Sequence, residues 1–159
     1  IHTGYYAGND RMPVSRIPAG NMCSLLAKYL EAKFVLMHIA YPYSDELVAI
    51  AKNYRNVWVD MCWAWSIDPY SSRDFLRRFI HAVPINKIFT LGGDTGWATS
   101  SVAYAFQARR EIQKALEAEI ADGYMNEKQA MTVATQIMHD NQYACFDLNN
   151  TRANIHSAA

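Results

Sequence analysis

The strongest constraint on the fold of this chain is a repeated alternation of short apolar runs and amphipathic segments. Three apolar runs of strand length, Phe34–His38, Val57–Met61 and Lys87–Leu91, follow a shorter stub at Ile1–Thr3. Parallel strands that are buried on both faces read as continuous apolar runs, and they alternate with helices along the chain. The pattern therefore predicts an α/β protein that is built from parallel βα units.

Five helices are expected between and after these runs, because apolar residues recur there at the helical spacing of three to four positions. The expected helices span about residues 21–32, 45–54, 71–83, 99–122 and 127–144, and the third would begin at a Ser71 or Ser72 cap. The apolar stripe of the fourth helix consists of Val102, Phe106, Ile112, Leu116 and Ile120. Residues 4–20 predict a loop. The expected folded unit is residues 1–148, and residues 149–159 are expected to form a polar, mobile tail.

Three residues with acid–base or metal-binding side chains stand at or near the C-terminal ends of these runs: His2, His38 and Asp94. Such strand ends meet at one edge of the sheet, where α/β barrels build their active sites. Imidazole and carboxylate groups are ligands of catalytic zinc, which lowers the pKa of a bound water. Asp94 could accept a proton there, and a second imidazole could polarise the substrate. Each residue alone also fits a simpler role, since Asp94 could cap the next helix and either histidine could be a packing residue.

Aromatic side chains are concentrated in the loops that follow the strands, where an α/β enzyme builds its pocket. Four of them are predicted to contact the substrate: Tyr5, Tyr41, Trp63 and Trp97. Arg109 lies within the apolar stripe of its helix and predicts a structural ion pair, although it could also reach a substrate carboxylate. Asp60 ends the second full run and could face the pocket, but a hydrogen bond to loop amides is the favoured explanation.

The balance of charge and the spacing of the cysteines argue against several classes of protein. Lys plus Arg and Asp plus Glu are equal at 15 each, so the sequence offers no electrostatic basis for binding nucleic acid or an anionic membrane. No apolar run approaches the roughly 18 residues that a transmembrane helix requires. The three cysteines form no CxxC pair, which favours free thiols in a reducing cytoplasm over a disulfide framework.

Three longer stretches of sequence resemble the C-terminal half of the amidohydrolase superfamily. They are FVLMHIAYPYSDELVAIAKNYRNVWVDMCW, KIFTLGGDTGW and DNQYACFDL. The resemblance runs from His2 to Leu148 and points to the amidohydrolase-2 group, which includes metal-dependent hydrolases, aromatic-acid decarboxylases and, more distantly, uronate isomerases. It implies a parallel (β/α) half-barrel, the C-terminal part of a TIM-like (β/α)8 barrel, with strands five to eight and their helices at 1–148. A complete barrel needs about 250 residues, and this chain has 159.

The resemblance also implies roles for the three strand-end residues. The family's fifth strand carries a metal-ligand histidine, which corresponds to His2, and its eighth an aspartate that binds metal and handles the proton, which corresponds to Asp94. The sixth-strand histidine, which acts in catalysis or binds a second metal, corresponds to His38. The family's first strand supplies an HxH ligand pair, and this sequence has none. We therefore expect the isolated chain to bind a divalent metal, with zinc as the expected one, only weakly and to catalyse nothing.

The function that follows is that of a fragment of a metal-dependent hydrolase acting on a small carboxylate, amide or ester. The first alternative is a non-oxidative decarboxylase on the same fold, which the aromatic loops favour slightly. The second is a non-catalytic half-barrel that self-associates, because four parallel βα units leave two open sheet edges. The expected partners are a small-molecule substrate, the missing N-terminal half of the barrel and a second copy of the chain, in a homodimer or larger species.

Overall fold

The sheet is parallel and follows the chain order of the predicted runs. A computed structural model describes residues 1–5 and 13–158, so part of the expected loop at 4–20 lies outside the described residues. The strands are β1 (Phe34–Met37), β2 (Val57–Asp60) and β3 (Ile88–Phe89), and they lie in the order β1–β2–β3. Both strand pairs are parallel. The predicted α/β class is therefore confirmed.

The N-terminal stub lies beside β1 and extends this order by one position. His2 forms a parallel bridge with Met37, and the N–H of Met37 donates to the carbonyl oxygen of Ile1 at 2.9 Å. Thr3 is buried and its hydroxyl donates to the carbonyl oxygen of Met37 at 2.5 Å. All four predicted runs thus lie side by side, with their C-terminal ends at one edge.

Helices flank the sheet and account for most of the described chain. They are α1 (Cys23–Lys28), α2 (Ser44–Asn53), α3 (Ala64–Ile67), α4 (Pro69–Ala82), α5 (Ala98–Ala121), α6 (Glu127–Thr135), α7 (Asn141–Phe146) and α8 (Leu148–Ala158). Short 3-10 turns span Val14–Arg16, Ala19–Met22, His38–Ala40 and Ile85–Lys87, and a π-helical turn, Gln136–Asp140, joins α6 to α7. Within residues 1–5 and 13–158, no helix combines the length and apolarity that crossing a bilayer requires.

The first helix is shorter than the predicted span of 21–32, because a buried asparagine ends it. The side-chain amide of Asn56, just before β2, donates to the carbonyl oxygens of Leu26 at 3.0 Å and Tyr29 at 2.9 Å. These bonds satisfy carbonyl groups that are left without intrahelical partners at the end of a helix. A residue thirty positions along the chain therefore sets the boundary of α1, and local periodicity could not reveal it.

Helix α4, which corresponds to the third predicted helix, begins earlier than predicted, because Asp68 caps it in place of Ser71 or Ser72. Oδ1 of Asp68 accepts hydrogen bonds from the N–H groups of Tyr70 at 3.0 Å and Ser71 at 3.1 Å. Pro69 occupies the first helical position, where its missing N–H costs nothing. The preceding α3 was not predicted at all, since the loop after β2 carries little helical periodicity over its four residues.

The last predicted helix, at 127–144, is divided by the π-helical turn. Asn126 caps α6, and Gln129 completes a reciprocal capping box with it. Asp147 takes a left-handed φ of 52° and ends α7. The residues after Leu148, predicted as a polar tail, form α8, which is exposed from Asn149 to Ser157.

The core lies between the sheet and the helices. Its largest fully buried members are Trp65, Phe75, Phe79, Phe89, Leu26, Leu36, Ile39, Leu47, Met61, Leu76, Ile88 and Ile112. The predicted stripe of α5 joins this core only in its C-terminal half, where ion pairs connect the helix to α4. Leu116 is 5 % exposed, whereas Val102 and Phe106 are 57 % and 68 % exposed. The N-terminal half of α5 therefore presents an apolar face that the described residues do not cover.

The outer edge of β3 is covered by the segment that joins α6 to α7. The carbonyl oxygen of Phe89 accepts a hydrogen bond from the N–H of Met61, the residue that follows β2. The backbone N–H and C=O groups of the flanking Ile88 and Thr90 therefore point away from β2. The carbonyl oxygen of Ile88 accepts a hydrogen bond of 2.9 Å from the side-chain amide of Asn141. The N–H of Thr90 donates a hydrogen bond of 3.1 Å to the carbonyl oxygen of Ile137. The expectation of two open sheet edges therefore does not hold at these residues.

Candidate metal centre

His2 is positioned by the pairing of the stub with β1 and by a glycine that follows it. Gly4 has a φ of +71°, and a Cβ atom there would lie 2.6 Å from the backbone of Ala40 and Tyr41. Only glycine allows this approach. The stub therefore packs tightly against the turn after β1, which places His2 beside His38 with the ring centroids 4.3 Å apart.

His38 follows β1 directly and opens a strained turn. Three successive residues, His38, Ile39 and Ala40, have φ values of 71°, 53° and 52°, a left-handed conformation that is costly for side chains other than glycine. The imidazole is 2 % exposed, and neither ring nitrogen has a hydrogen-bond partner among the described residues. Burial, helped by the neighbouring His2 and opposed by Asp94, lowers the pKa of His38 to about 4. The ring is therefore neutral near pH 7, with a lone pair available.

Asp94 lies in the loop after β3 and also has a left-handed backbone, with a φ of 41°. Its Oδ2 lies 3.4 Å from Nε2 of His38 and accepts a hydrogen bond of 2.9 Å from the indole of Trp63. Gly92 allows this loop to approach the one after β2, because a Cβ atom there would lie 3.2 Å from Sγ of Cys62. Gly92 thus serves the packing of these two loops.

The structure brings together the three residues that were predicted to form the centre. His2, His38 and Asp94 each offer one nitrogen or oxygen atom, and these atoms all lie within 4.8 Å of one another. Two imidazoles and a carboxylate form a donor set that suits zinc and related divalent cations. The orphaned nitrogens of His38 strengthen this fit, because a buried polar group without a partner costs about 1–3 kcal/mol.

The predicted substrate contacts divide into two groups. The rings of Tyr5 and Tyr41 meet edge to face at 4.9 Å and line a small cavity with His38, while Trp63 packs on the His38 ring at 4.4 Å. Trp97 is 74 % exposed at the start of α5. Arg109 lines a groove between α5 and α6, about 16 Å along the helix from its first residue. Arg109 therefore lies away from the centre.

Asp60 lies close enough to the candidate centre for its charge to interact with that of Asp94. As predicted, its carboxylate accepts a loop N–H, that of Cys62, at 2.8 Å. Burial raises the pKa of Asp60 to about 6, and the charge of Asp94 adds to this rise. The only sequence signal for this interaction is that Asp60 stands at a strand end. There it lies opposite Met37 and Phe89 in the neighbouring strands.

Comparison with known proteins identifies the family. A family model described as amidohydrolase matches residues 1–141. The chain belongs to the amidohydrolase family. The resemblance of the sequence to the amidohydrolase superfamily is therefore confirmed.

Two similar proteins show how much of a relative the amidohydrolase chain spans. It is 29 % identical to Protein fluG of Emericella nidulans, in a match that covers 94 % of this chain and 17 % of that protein. Its fold is similar to a proposed metal-dependent hydrolase from Lactobacillus casei ATCC 334, with a TM-score of 0.75, 18 % identity and coverage of 94 % of this chain and 39 % of that one. The chain thus spans less than half of either relative, and the predicted partial TIM-like barrel is confirmed.

Proposed function

We propose that this chain supplies the C-terminal part of the active site of a metal-dependent hydrolase. The observation that carries the proposal is the cluster of His2, His38 and Asp94, whose ligand-type atoms all lie within 4.8 Å of one another. The description of the Lactobacillus casei protein as a proposed metal-dependent hydrolase supports it. His2 and Asp94 would hold the cation, for which zinc is the expected identity.

The surrounding residues suit hydrolysis of a small carboxylate, amide or ester. A divalent cation held there would act as a Lewis acid and lower the pKa of water bound to it. Asp94, with its side chain 47 % exposed, can accept a proton from the solvent side. The neutral ring of His38 can polarise a substrate atom by donating a hydrogen bond from its N–H group. Tyr5, Tyr41 and Trp63 would form the walls of the pocket.

The complete active site needs ligands from outside these residues. The chain has no HxH pair, and it covers 39 % of the structurally similar protein. A catalytic zinc commonly has three protein ligands and one open position for water. Here two of the three candidate ligands, His2 and Asp94, are exposed. We therefore propose catalysis for the whole parent protein and only weak metal binding for this chain alone.

Metal titration of the chain tests the proposal. Calorimetry with Zn²⁺, Mn²⁺ and Co²⁺ should show weak, saturable binding that is reduced separately by His2→Ala, His38→Asn and Asp94→Asn. The matched control is His156→Asn, since that histidine lies on the exposed helix α8. Binding that is absent from the wild-type chain, or that survives all three substitutions, would contradict the proposal. Tight stoichiometric binding would instead contradict the expectation of an incomplete site.

Decarboxylation of an aromatic acid is the second candidate, and one observation favours it. The rings of Tyr5, Tyr41 and Trp63 all lie beside the centre, where they could pack against an aromatic substrate. The full-length protein, incubated separately with hydroxybenzoates and with small amides and esters, separates the two reactions. Release of CO₂ would support decarboxylation, and release of a new carboxylate with an amine or alcohol would support hydrolysis.

A further inference from the structure

Trp63 lies beside all three members of the candidate metal centre, with its ring centroid 6.5 Å from that of His2 and with closer contacts to His38 and Asp94. Its indole Nε1 donates a hydrogen bond of 2.9 Å to Oδ2 of Asp94. Its ring lies against the ring of His38, with centroids 4.4 Å apart and planes inclined at 34°. The same Oδ2 atom lies 3.4 Å from Nε2 of His38. One side chain therefore holds the carboxylate and covers the imidazole.

The turn after β2 places Trp63 firmly. Asp60 accepts a hydrogen bond of 2.8 Å at Oδ1 from the N–H of Cys62, which has a left-handed φ of 49°. The N–H of Ala64 then bonds to the carbonyl oxygen of Met61 at 2.9 Å. The indole thus projects from a short hydrogen-bonded turn that leads directly into α3.

We propose that Trp63 is a positioning residue of the metal centre, an inference that rests on the proposed function. Partners that hydrogen-bond to a ligating carboxylate fix its orientation, and their removal typically costs about 10- to 100-fold in metal affinity. The hydrogen bond from the indole N–H to Oδ2 of Asp94 fixes the orientation of the carboxylate before a cation binds. Its ring packs against one face of the His38 imidazole.

The hydrogen bond itself can be tested without metal. In the NMR spectrum of the chain, the indole Hε1 of Trp63 should resonate downfield, and Asp94→Ala should move it upfield because the acceptor is lost. Trp63→Phe assigns the signal, and through-space contacts with the His38 ring assign it if that variant does not fold. An indole signal that Asp94→Ala leaves in place would overturn the inference whatever the result with metal.

The effect on the centre is tested with Co²⁺ as the probe. Trp63→Phe keeps an aromatic ring but loses the N–H, so the Kd for Co²⁺ should rise about tenfold and the visible absorption bands of the bound ion should shift. The matched control is Trp58→Phe, because Trp58 stacks under Lys33 instead of the centre. The control should keep the affinity and spectrum of the wild-type chain.

The outcomes separate this inference from the proposed function. If the wild-type chain binds Co²⁺ and Trp63→Phe binds it with the same Kd and spectrum, the positioning role is wrong and the metal centre stands. If the wild-type chain binds no metal, the proposed function fails and the positioning role fails with it, even where NMR shows the hydrogen bond. A tenfold loss confined to Trp63→Phe, with a changed spectrum, supports both.

Discussion

His38 and Asp94 reach the candidate centre through backbone conformations that their side chains disfavour. Both residues have positive φ values, as does Cys62 between them in sequence. Each such residue costs on the order of 1 kcal/mol or more, and such strain is concentrated at functional sites. Sequence alone located these residues at strand ends, but it carried no signal for their left-handed backbone or for the hydrogen bond from Trp63.

Gly4 allows the first prediction at this scale. Gly4→Ala should destabilise docking of the stub, since the new Cβ would lie 2.6 Å from backbone atoms at a φ of +71°. We expect a loss of about 1–3 kcal/mol in the free energy of unfolding and weaker Co²⁺ binding, because His2 moves with the stub. Urea denaturation and metal titration measure the two effects. The control is Gly96→Ala, where no atom lies within 4 Å of the added Cβ, and equal effects in both variants would contradict the prediction.

Opposed titrations of His38 and Asp60 give the second prediction, for the metal-free chain. The pKa of His38 falls from 6.5 to about 4 on folding, so stability is lost as pH falls through this window. The pKa of Asp60 rises from 3.8 to about 6, so its contribution is lost as pH rises through nearly the same window. Each amounts to about 3 kcal/mol at 1.36 kcal/mol per pH unit. Besides burial, His2 and the Ile1 ammonium lower the pKa of His38 and Asp94 raises it, while Asp94 raises the pKa of Asp60 and the ammonium lowers it.

The two contributions should nearly cancel in the wild-type chain between pH 4 and 6. Asp60→Asn keeps an acceptor for the N–H of Cys62 but removes the acid, so it should expose the fall in stability toward low pH that belongs to His38. His38→Asn should expose the opposite slope. Denaturant unfolding at several pH values measures both, and parallel pH profiles for the three proteins would rule the account out.

At the scale of helices and strands, lysine side chains repeatedly donate hydrogen bonds to the free carbonyl groups at the C-terminal ends of helices. Lys87 donates to the carbonyl oxygens of Ala51 at 2.9 Å and Tyr54 at 2.7 Å, at the end of α2. Lys52 likewise donates to the end of α4, and Lys33 to the end of α7. A cation placed there satisfies free carbonyl groups and complements the helix dipole. Each bond connects one βα unit to another, so these lysines lock the units together.

Lys87→Met provides the third prediction. Methionine keeps the length and apolar character of the stem but leaves two carbonyl groups without their charged donor, so we expect a loss of about 2 kcal/mol in the free energy of unfolding. Urea denaturation measures the change. Lys128→Met is the control, because Lys128 is exposed on α6, and it should change stability by less than about 0.5 kcal/mol. A similar result for both variants would show that the capping bonds contribute nothing.

Helix boundaries show where sequence-based prediction succeeds and fails. The parallel order of the strands and the existence of α2, α4, α5 and α6 were predictable, because apolar periodicity is a property of each segment by itself. The end of α1 was not, since it depends on the distant Asn56. The cover over β3 was not predictable either, because it depends on Asn141 and Ile137 meeting groups some fifty residues away.

At the scale of the whole molecule, an apolar face of α5 that residues 1–5 and 13–158 leave exposed favours self-association, and this is the fourth prediction. Val102 and Phe106 are 57 % and 68 % exposed one turn apart on α5. We expect a homodimer or larger species in light scattering, and the double variant Val102→Ser with Phe106→Ser should shift it toward monomer. Ile155→Ser, which removes a side chain that is 64 % exposed on α8, should not. A wild-type chain that is monomeric at high concentration would refute the prediction.

The pairing of the stub with β1 would make affinity for the proposed cation and docking of the stub a single linked equilibrium. His2 is held beside His38 by contacts between residues about 34 positions apart, so opening of the stub would remove one candidate ligand from the centre. A cation that binds only the docked state stabilises it by RT ln(1 + [M]/Kd). Rising metal concentration should therefore slow amide exchange at Met37, whose N–H reports docking directly, before it changes global stability.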